Sequence, residues 1–197
     1  MTWLLHMPGC RNPRGWSMKF TFLICNTMLL LLTALLAGCA FPIEPTDQRA
    51  ERTEQLTREI LVLSPAIDWQ EAHEFAKAAV ETSAGLGKKY DVALRPWLHN
   101  ASILVGLKAR GLCYQYADDL YERLKYVSNE HLEMHYVAAN WGHLDEHHAL
   151  TVTVKDAPWD SGLVLDAWRR NGNLYFVPVK QDSYPWQDDG IAYFFSR

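Results

Sequence analysis

The 197-residue chain is long enough for one domain with short accessory segments, and its contents of 49% hydrophobic and 21% charged residues are ordinary for a globular protein. Eight Trp, nine Tyr and seven Phe provide ample material for a core. The formal net charge of −4 and the lack of a basic run argue against a nucleic-acid-binding protein of the usual basic kind.

The N-terminal segment has the pattern of an export signal. An apolar run over residues 20–36 follows Lys19 and ends in Leu36-Ala37-Gly38-Cys39, which is typical of a secretory signal peptide. The last four residues resemble the lipobox of bacterial lipoproteins, in which the cysteine becomes residue one and is acylated. The resemblance implies lipidation at Cys39, and Met18 is an alternative start. A single-pass helix of about 20 apolar residues is the competing interpretation.

These patterns divide the chain into a signal peptide (1–38), a lipidated tether (39–47) and a single domain (48–197). Processing would remove three positive charges and no acid, which changes the formal charge from −4 to −7. Only Cys39 and Cys113 would remain of the four cysteines. Because Cys39 would carry lipid, we expect no disulfide within the chain and a free Cys113 thiol in an oxidising compartment.

Helices are predicted before any strand. The first covers residues 47–63. The second begins after Asp68, which forms a capping box with Glu71, and is predicted to stop at Gly85 and Gly87.

A further helix is predicted directly after Gly111, with Cys113 at its N-terminal end. Its apolar side chains recur at offsets 0, 3, 4, 7, 8 and 11, which is one face of a helix. The residues on this face are Cys113, Tyr116, Ala117, Leu120, Tyr121 and Leu124.

From His131 the hydrophobic period changes to two, which indicates strands. In the second of these strands His148 shares a face with Leu150 and Val152, while His147 points to the other face. Asn171-Gly172 is a hairpin turn signal. Helices followed by antiparallel strands predict an α+β fold. The predicted strand segments are HLEMHYVAANW, HHALTVTVKD, GLVLDAW, NLYFVPV and IAYFFSR.

Cys113, His148 and Asp166 form a candidate catalytic set. A thiol reacts as the thiolate, which the positive end of a helix favours. An imidazole can take its proton, and a third polar group can orient the imidazole. If the two strands form a hairpin centred near Pro158, His148 and Asp166 are diagonal neighbours about 7–8 Å apart at the backbone. We select His148 over His147 because its face is expected to pack on the Cys113 helix.

Three short segments resemble a known family. Gly111-Leu112-Cys113, His148-Ala149-Leu150 and Leu165-Asp166-Ala167 are similar to the signature segments of the transglutaminase-like, papain-like cysteine enzymes. The similarity covers about residues 95–180. It implies a Cys at the head of a central helix that packs on an antiparallel sheet, with the His and Asp on adjacent strands.

The resemblance also implies roles for individual residues. Cys113 would be the nucleophile, His148 the base and Asp166 the orienting group. The backbone N–H of Cys113 would supply part of an oxyanion hole, with Trp97 as a candidate second donor. Leu150 departs from the pattern, since many members have an aromatic residue two positions after the His.

The expected function is therefore that of an exported lipoprotein thiol enzyme, an amide hydrolase if water enters and an acyl transferase if an amine does. No cofactor is expected. Peptides or proteins, including cell-wall stem peptides, are the substrates suggested by location, and nucleic acid is not expected as a partner. Cys39 would bind the membrane, and Ala40 after the lipobox favours the outer membrane of a bacterial envelope, facing the periplasm.

Two other interpretations stay open. A non-catalytic binding or scaffold lipoprotein would keep the fold with a buried, unreactive Cys113. A metal site is suggested by five histidines within eighteen residues, but no His-Glu-x-x-His or Cys-x-x-Cys spacing is present, and His147 and His148 would point to opposite faces. The histidines are His131, His135, His143, His147 and His148, with Asp145 and Glu146 among them.

Overall fold

In a computed structural model, the described residues are 26–27, 42–90, 106, 110–127 and 130–188. They form three helices followed by a five-stranded antiparallel sheet, which confirms the α+β class, and these elements lie within one compact unit, Ala40–Arg197. The bounds are α1 Thr46–Leu63, α2 Trp69–Lys89, α3 Cys113–Leu124, β1 Leu132–Ala139, β2 His147–Val154, β3 Leu163–Asp166, β4 Tyr175–Pro178 and β5 Gln187–Asp188.

Several predictions concern residues outside this set. The signal peptide apart from Asn26 and Thr27, the lipidated Cys39, Trp97 and the last predicted strand (191–197) all lie outside the described residues. Within the described residues, the structure contains no helix whose length and apolarity would let it cross a membrane.

The strands are ordered β4-β3-β2-β1-β5, and β2 is buried on both faces. One face contacts the helices through a large apolar core, because every second side chain of a strand points to the same side. The other face carries a smaller cluster closed by the chain after β4. The first core includes Phe75, Tyr116, Leu120, Tyr136, Leu150, Val152 and Leu165; the second includes Val137, Ala139, Ala149, Val164, Val179 and Trp186.

Helix α2 begins as predicted, because the side chain of Asp68 accepts a hydrogen bond from the Glu71 amide at 2.8 Å. The predicted stop at Gly85 and Gly87 is wrong, since the helix continues to Lys89. Gly87 serves close packing: a Cβ at this position would lie 2.5 Å from the carbonyl oxygen of Asn171 in the turn before β4.

This contact predicts opposite effects for two glycines of one helix. We expect Gly85→Ala to stabilise the protein by up to about 1 kcal/mol, because nothing lies within 4 Å of its Cβ position and Ala favours helix. Gly87→Ala should destabilise it by roughly 1–3 kcal/mol through overpacking. Urea unfolding of both variants measures the change in unfolding free energy. An equal gain in stability in both variants would show that the turn before β4 does not restrict the side chain at position 87.

Candidate active site

Cys113 is the first residue of α3. The side chain of Gln115 accepts hydrogen bonds from the two preceding amides, Gly111 N at 2.7 Å and Leu112 N at 3.1 Å. The Cys113 amide has no hydrogen-bond partner within the described part of the chain. The apolar face predicted for this helix is confirmed, with Tyr121 only partly buried. Cys113 thus lies where a helix presents an unpaired donor and partial positive charge.

His147 forms a buried pair with Asp166. The two side chains are each 1% exposed, and His147 Nε2 lies 2.6 Å from Asp166 Oδ2. The other carboxylate oxygen, Oδ1, accepts from the amides of Trp168 and Arg169, both at 2.9 Å. These contacts fix the carboxylate and, through it, the orientation of the imidazole.

The Cys113 side chain interacts with the His147 imidazole and contributes to the pKa of that ring. Within the described part of the chain, the buried Nδ1 of His147 has no hydrogen-bond partner. Since Nε2 is occupied by Asp166, the contact with Cys113 falls to Nδ1. The thiol itself lies at the start of β2, with Sγ 3.9 Å from the carbonyl oxygen of Glu146.

The electrostatics of the pair favour the charged form of both groups. Burial alone would lower the pKa of His147, but the Asp166 charge, its hydrogen bond and the Cys113 side chain together raise that pKa to about 9. Burial alone would raise the pKa of Asp166, yet His147 and Arg169 bring it down to about 2. At neutral pH the site therefore contains an imidazolium and a carboxylate.

These shifts predict a pH-dependent stability. The pKa of His147 is higher in the folded than in the unfolded state, so its contribution is full below pH 6.5 and is lost as pH rises through about 9. The contribution of Asp166 is full above about pH 3.8 and is lost as pH falls through about 2. We expect the difference in unfolding free energy between wild type and the His147→Gln variant to be largest between about pH 4 and 6.5. It should then fall by on the order of 3 kcal/mol at alkaline pH. Urea unfolding across pH measures it, and a flat difference would contradict the pair.

The structure does not bring His148 to Asp166, which corrects the predicted histidine. Leu150 pairs with Leu165 across β2 and β3, whereas the hairpin centred near Pro158 assumed a register shifted by one residue. A one-residue shift moves every side chain to the other face. Continuing the observed register places Asp166 beside Ala149 and on the face of His147.

His148 lies on the helix-facing side of β2, as the alternation predicted, but with different partners. Its Nε2 is 2.8 Å from Glu146 Oε1, and its ring meets Tyr114 and Trp141 edge-on, with centroids 6.4 and 6.1 Å away. The other oxygen of Glu146 accepts from the Gly142 amide at 2.8 Å. His148 thereby stabilises the loop that precedes β2.

Aromatic rings surround the His147 side chain. The ring centroids of Trp168, Tyr184 and Trp186 lie 4.9, 4.8 and 5.4 Å from that of His147. Sequence reasoning takes Tyr184 and Trp186 as packing residues in preference to a binding groove, and it assigns no role to the charged pair Arg169–Asp182 behind Asp166. The only local signal was the spacing of Asp166 and Arg169, three residues apart.

The clustered histidines do not converge on one point. His131 contacts Glu71 at 2.8 Å and His135 contacts Thr153 at 3.1 Å, while His147 and His148 have the partners given above. Among the described residues, no group of three or more His, Cys, Asp or Glu side chains is placed to hold a metal ion.

No protein-family model, curated protein or solved structure matches this chain.

Proposed function

We propose that this protein is a thiol-dependent amide hydrolase or acyl transferase with Cys113 as nucleophile, His147 as its proton partner and Asp166 as the orienting group. One observation carries the proposal: a buried His147–Asp166 pair interacts with a thiol at a helix N-terminus, and the ring nitrogen that Asp166 does not occupy has no hydrogen-bond partner among the described residues. The helix that begins at Cys113 and packs on an antiparallel sheet also supports a transglutaminase-like, papain-like fold.

The chemistry follows from the charges. With the proton on His147, the Cys113 thiolate attacks the amide carbonyl carbon and forms a C–S bond. The backbone amide of Cys113 donates to the developing oxyanion. Collapse breaks the C–N bond, and His147 Nδ1–H gives its proton to the leaving amine. His147 then removes a proton from water or from an acceptor amine, which attacks the thioester and releases Cys113.

The cellular setting is part of the proposal. Leu36-Ala37-Gly38-Cys39 after an apolar run supports export and a lipid anchor at Cys39. An anchored amidase facing the periplasm of a bacterial envelope would act on peptides or proteins there, with cell-wall stem peptides as one class.

A second candidate rests on the burial of the thiol. Cys113 is 8% exposed, which is also the state of an inert core cysteine. A scaffold lipoprotein with this fold would have an unreactive Cys113, and reactivity therefore separates the two candidates.

Alkylation of the full-length chain tests the proposal. Iodoacetamide is added at pH 6, and modification is followed by mass spectrometry on the tryptic peptide 111–123, which contains Cys113 alone. We expect faster modification in the native protein than in urea, because an ordinary thiol with a pKa near 8.5 is about 0.3% ionised at pH 6. A native rate below the unfolded rate would favour the scaffold.

A further inference from the structure

We propose that Arg169 is a positioning residue that holds Asp166 toward His147 and closes an aromatic wall over the pair; this inference rests on the proposed function. Arg169 belongs to neither of the two strands that carry His147 and Asp166. It lies in the turn that follows β3, three residues after Asp166.

The guanidinium bridges two buried carboxylates. Its Nε donates to Asp166 Oδ2 at 3.0 Å, and its two Nη atoms donate to the two oxygens of Asp182, both at 2.9 Å. Asp166 Oδ2 is therefore shared between Arg169 and His147, while Oδ1 is held by backbone amides. The hydrogen bonds to the two oxygens of Asp166 therefore hold its carboxylate in one orientation.

The side chain of Asp182 connects these hydrogen bonds to the aromatic wall, which is formed by Tyr184 and Trp186. Its Oδ2 also accepts from Trp186 Nε1 at 3.0 Å, and the side chain is fully buried. The Arg169 guanidinium lies 4.8 Å from the centre of the Tyr184 ring. The segment 182–186 thus brings two rings against His147, and each ring has a contact with Arg169 or with Asp182. Such a wall excludes water, and the attraction between His147 and Asp166 is stronger without water.

Geometry makes the role specific to arginine. Alternating charges on His147, Asp166, Arg169 and Asp182 keep the buried set neutral overall. A planar fork can serve two carboxylates at once, whereas a lysine ammonium is a single point charge on a flexible stem. Arg169→Lys therefore keeps the positive charge and removes the orientation.

The test measures His147 directly, in the full-length chain. The titration of its imidazole is followed by NMR, with the signal assigned by its loss in His147→Gln. The ionisable groups that face His147 are Asp166, Cys113 and Tyr184, with Arg169 behind the carboxylate. We expect Arg169→Lys to lower the midpoint by about one pH unit, and the alkylation rate of Cys113 at pH 6 by about tenfold.

Two further variants separate positioning from folding. Asp182→Asn should lower the midpoint in the same direction, because it removes the anchor of the fork. Arg170→Lys is the matched control: Arg170 stacks on Tyr175 with 4.9 Å to the ring centre, and we expect its substitution to leave the midpoint and the rate unchanged. The alkylation rate at pH 10, where thiols ionise, should be similar in all variants.

The outcomes distinguish this inference from the proposed function. An unchanged His147 midpoint in Arg169→Lys overturns the positioning role, whatever the reactivity of Cys113. A wild-type Cys113 that alkylates more slowly than the unfolded chain overturns the proposed function. In that case a lowered midpoint of the His147 titration in Arg169→Lys still supports the positioning of Asp166 by Arg169.

Discussion

Replacing His147 by Gln will slow the alkylation of Cys113 at pH 6 by roughly 10- to 100-fold, whereas His148→Gln will leave the rate within about twofold. His147 is the histidine whose imidazole interacts with the Cys113 side chain, and its raised pKa means that the ring holds a proton at this pH. Without the imidazolium, the positive charge that favours the reactive thiolate is lost from the neighbourhood of the sulfur.

The two histidines are adjacent in sequence and equally buried, which makes His148→Gln a close control. Its glutamine can keep a hydrogen bond to Glu146, which is the partner of His148 in the structure. Thermal unfolding of both variants shows whether each is folded at the temperature of the assay. A slower rate in His148→Gln with a normal rate in His147→Gln would contradict the assignment and restore the histidine that the sequence favoured.

Local pattern was sufficient for the three helices, apart from the end of α2, for β1 to β4 and for the faces of β2, but no predicted segment covered β5. The 3.6-residue recurrence places Cys113 at the start of α3, and the alternation of β2 puts His148 on the side of Leu150 and Val152, where the structure also has it. Both signals depend on neighbouring residues of the same element. They need no knowledge of what packs opposite.

The choice between His147 and His148 depended on two features that local pattern does not contain. The first is the register between β2 and β3, which is set by the whole connection, including the short 3₁₀ turn Trp159–Ser161. Gly162 contributes to it, because a Cβ there would lie 1.9 Å from the Val152 carbonyl oxygen. A side chain at position 162 would therefore clash with β2 in the observed register.

The second feature is the position of Cys113 relative to the sheet. We expected the thiol over the apolar face of β2, but as the first residue of α3 it reaches the end of that strand instead, next to Glu146. From the strand end it can meet a side chain of either face. We selected His148 because it lies on the face of β2 that packs on the helices. Since Cys113 lies at the strand end, the face of a histidine does not decide whether it contacts the thiol.

Asp166→Asn will lower the unfolding free energy by about 3–5 kcal/mol at pH 6, the largest stability change that we expect from a single polar substitution here. The carboxylate is 1% exposed and contacts both His147 and Arg169. Removing its charge leaves the buried imidazolium without the carboxylate that pairs with Nε2, and the cost of a poorly compensated buried charge exceeds that of a lost hydrogen bond. In this variant we expect the pKa of His147 to fall, so that the imidazole releases its proton at a lower pH.

Asp160→Asn is the matched control. Its carboxylate is paired with Lys180 at 3.5 Å on the surface, with side chains 40% and 72% exposed, and such a pair contributes less than about 1 kcal/mol. Urea unfolding of wild type and both variants at pH 6 and pH 10 measures the changes. The cost of Asp166→Asn should be smaller at pH 10, because His147 is then neutral in the wild type as well and no longer needs the carboxylate charge. An equal cost at both pH values would mean that Asp166 serves only as an acceptor for the turn amides of Trp168 and Arg169, and that the buried His147–Asp166 pair is not ionised at neutral pH.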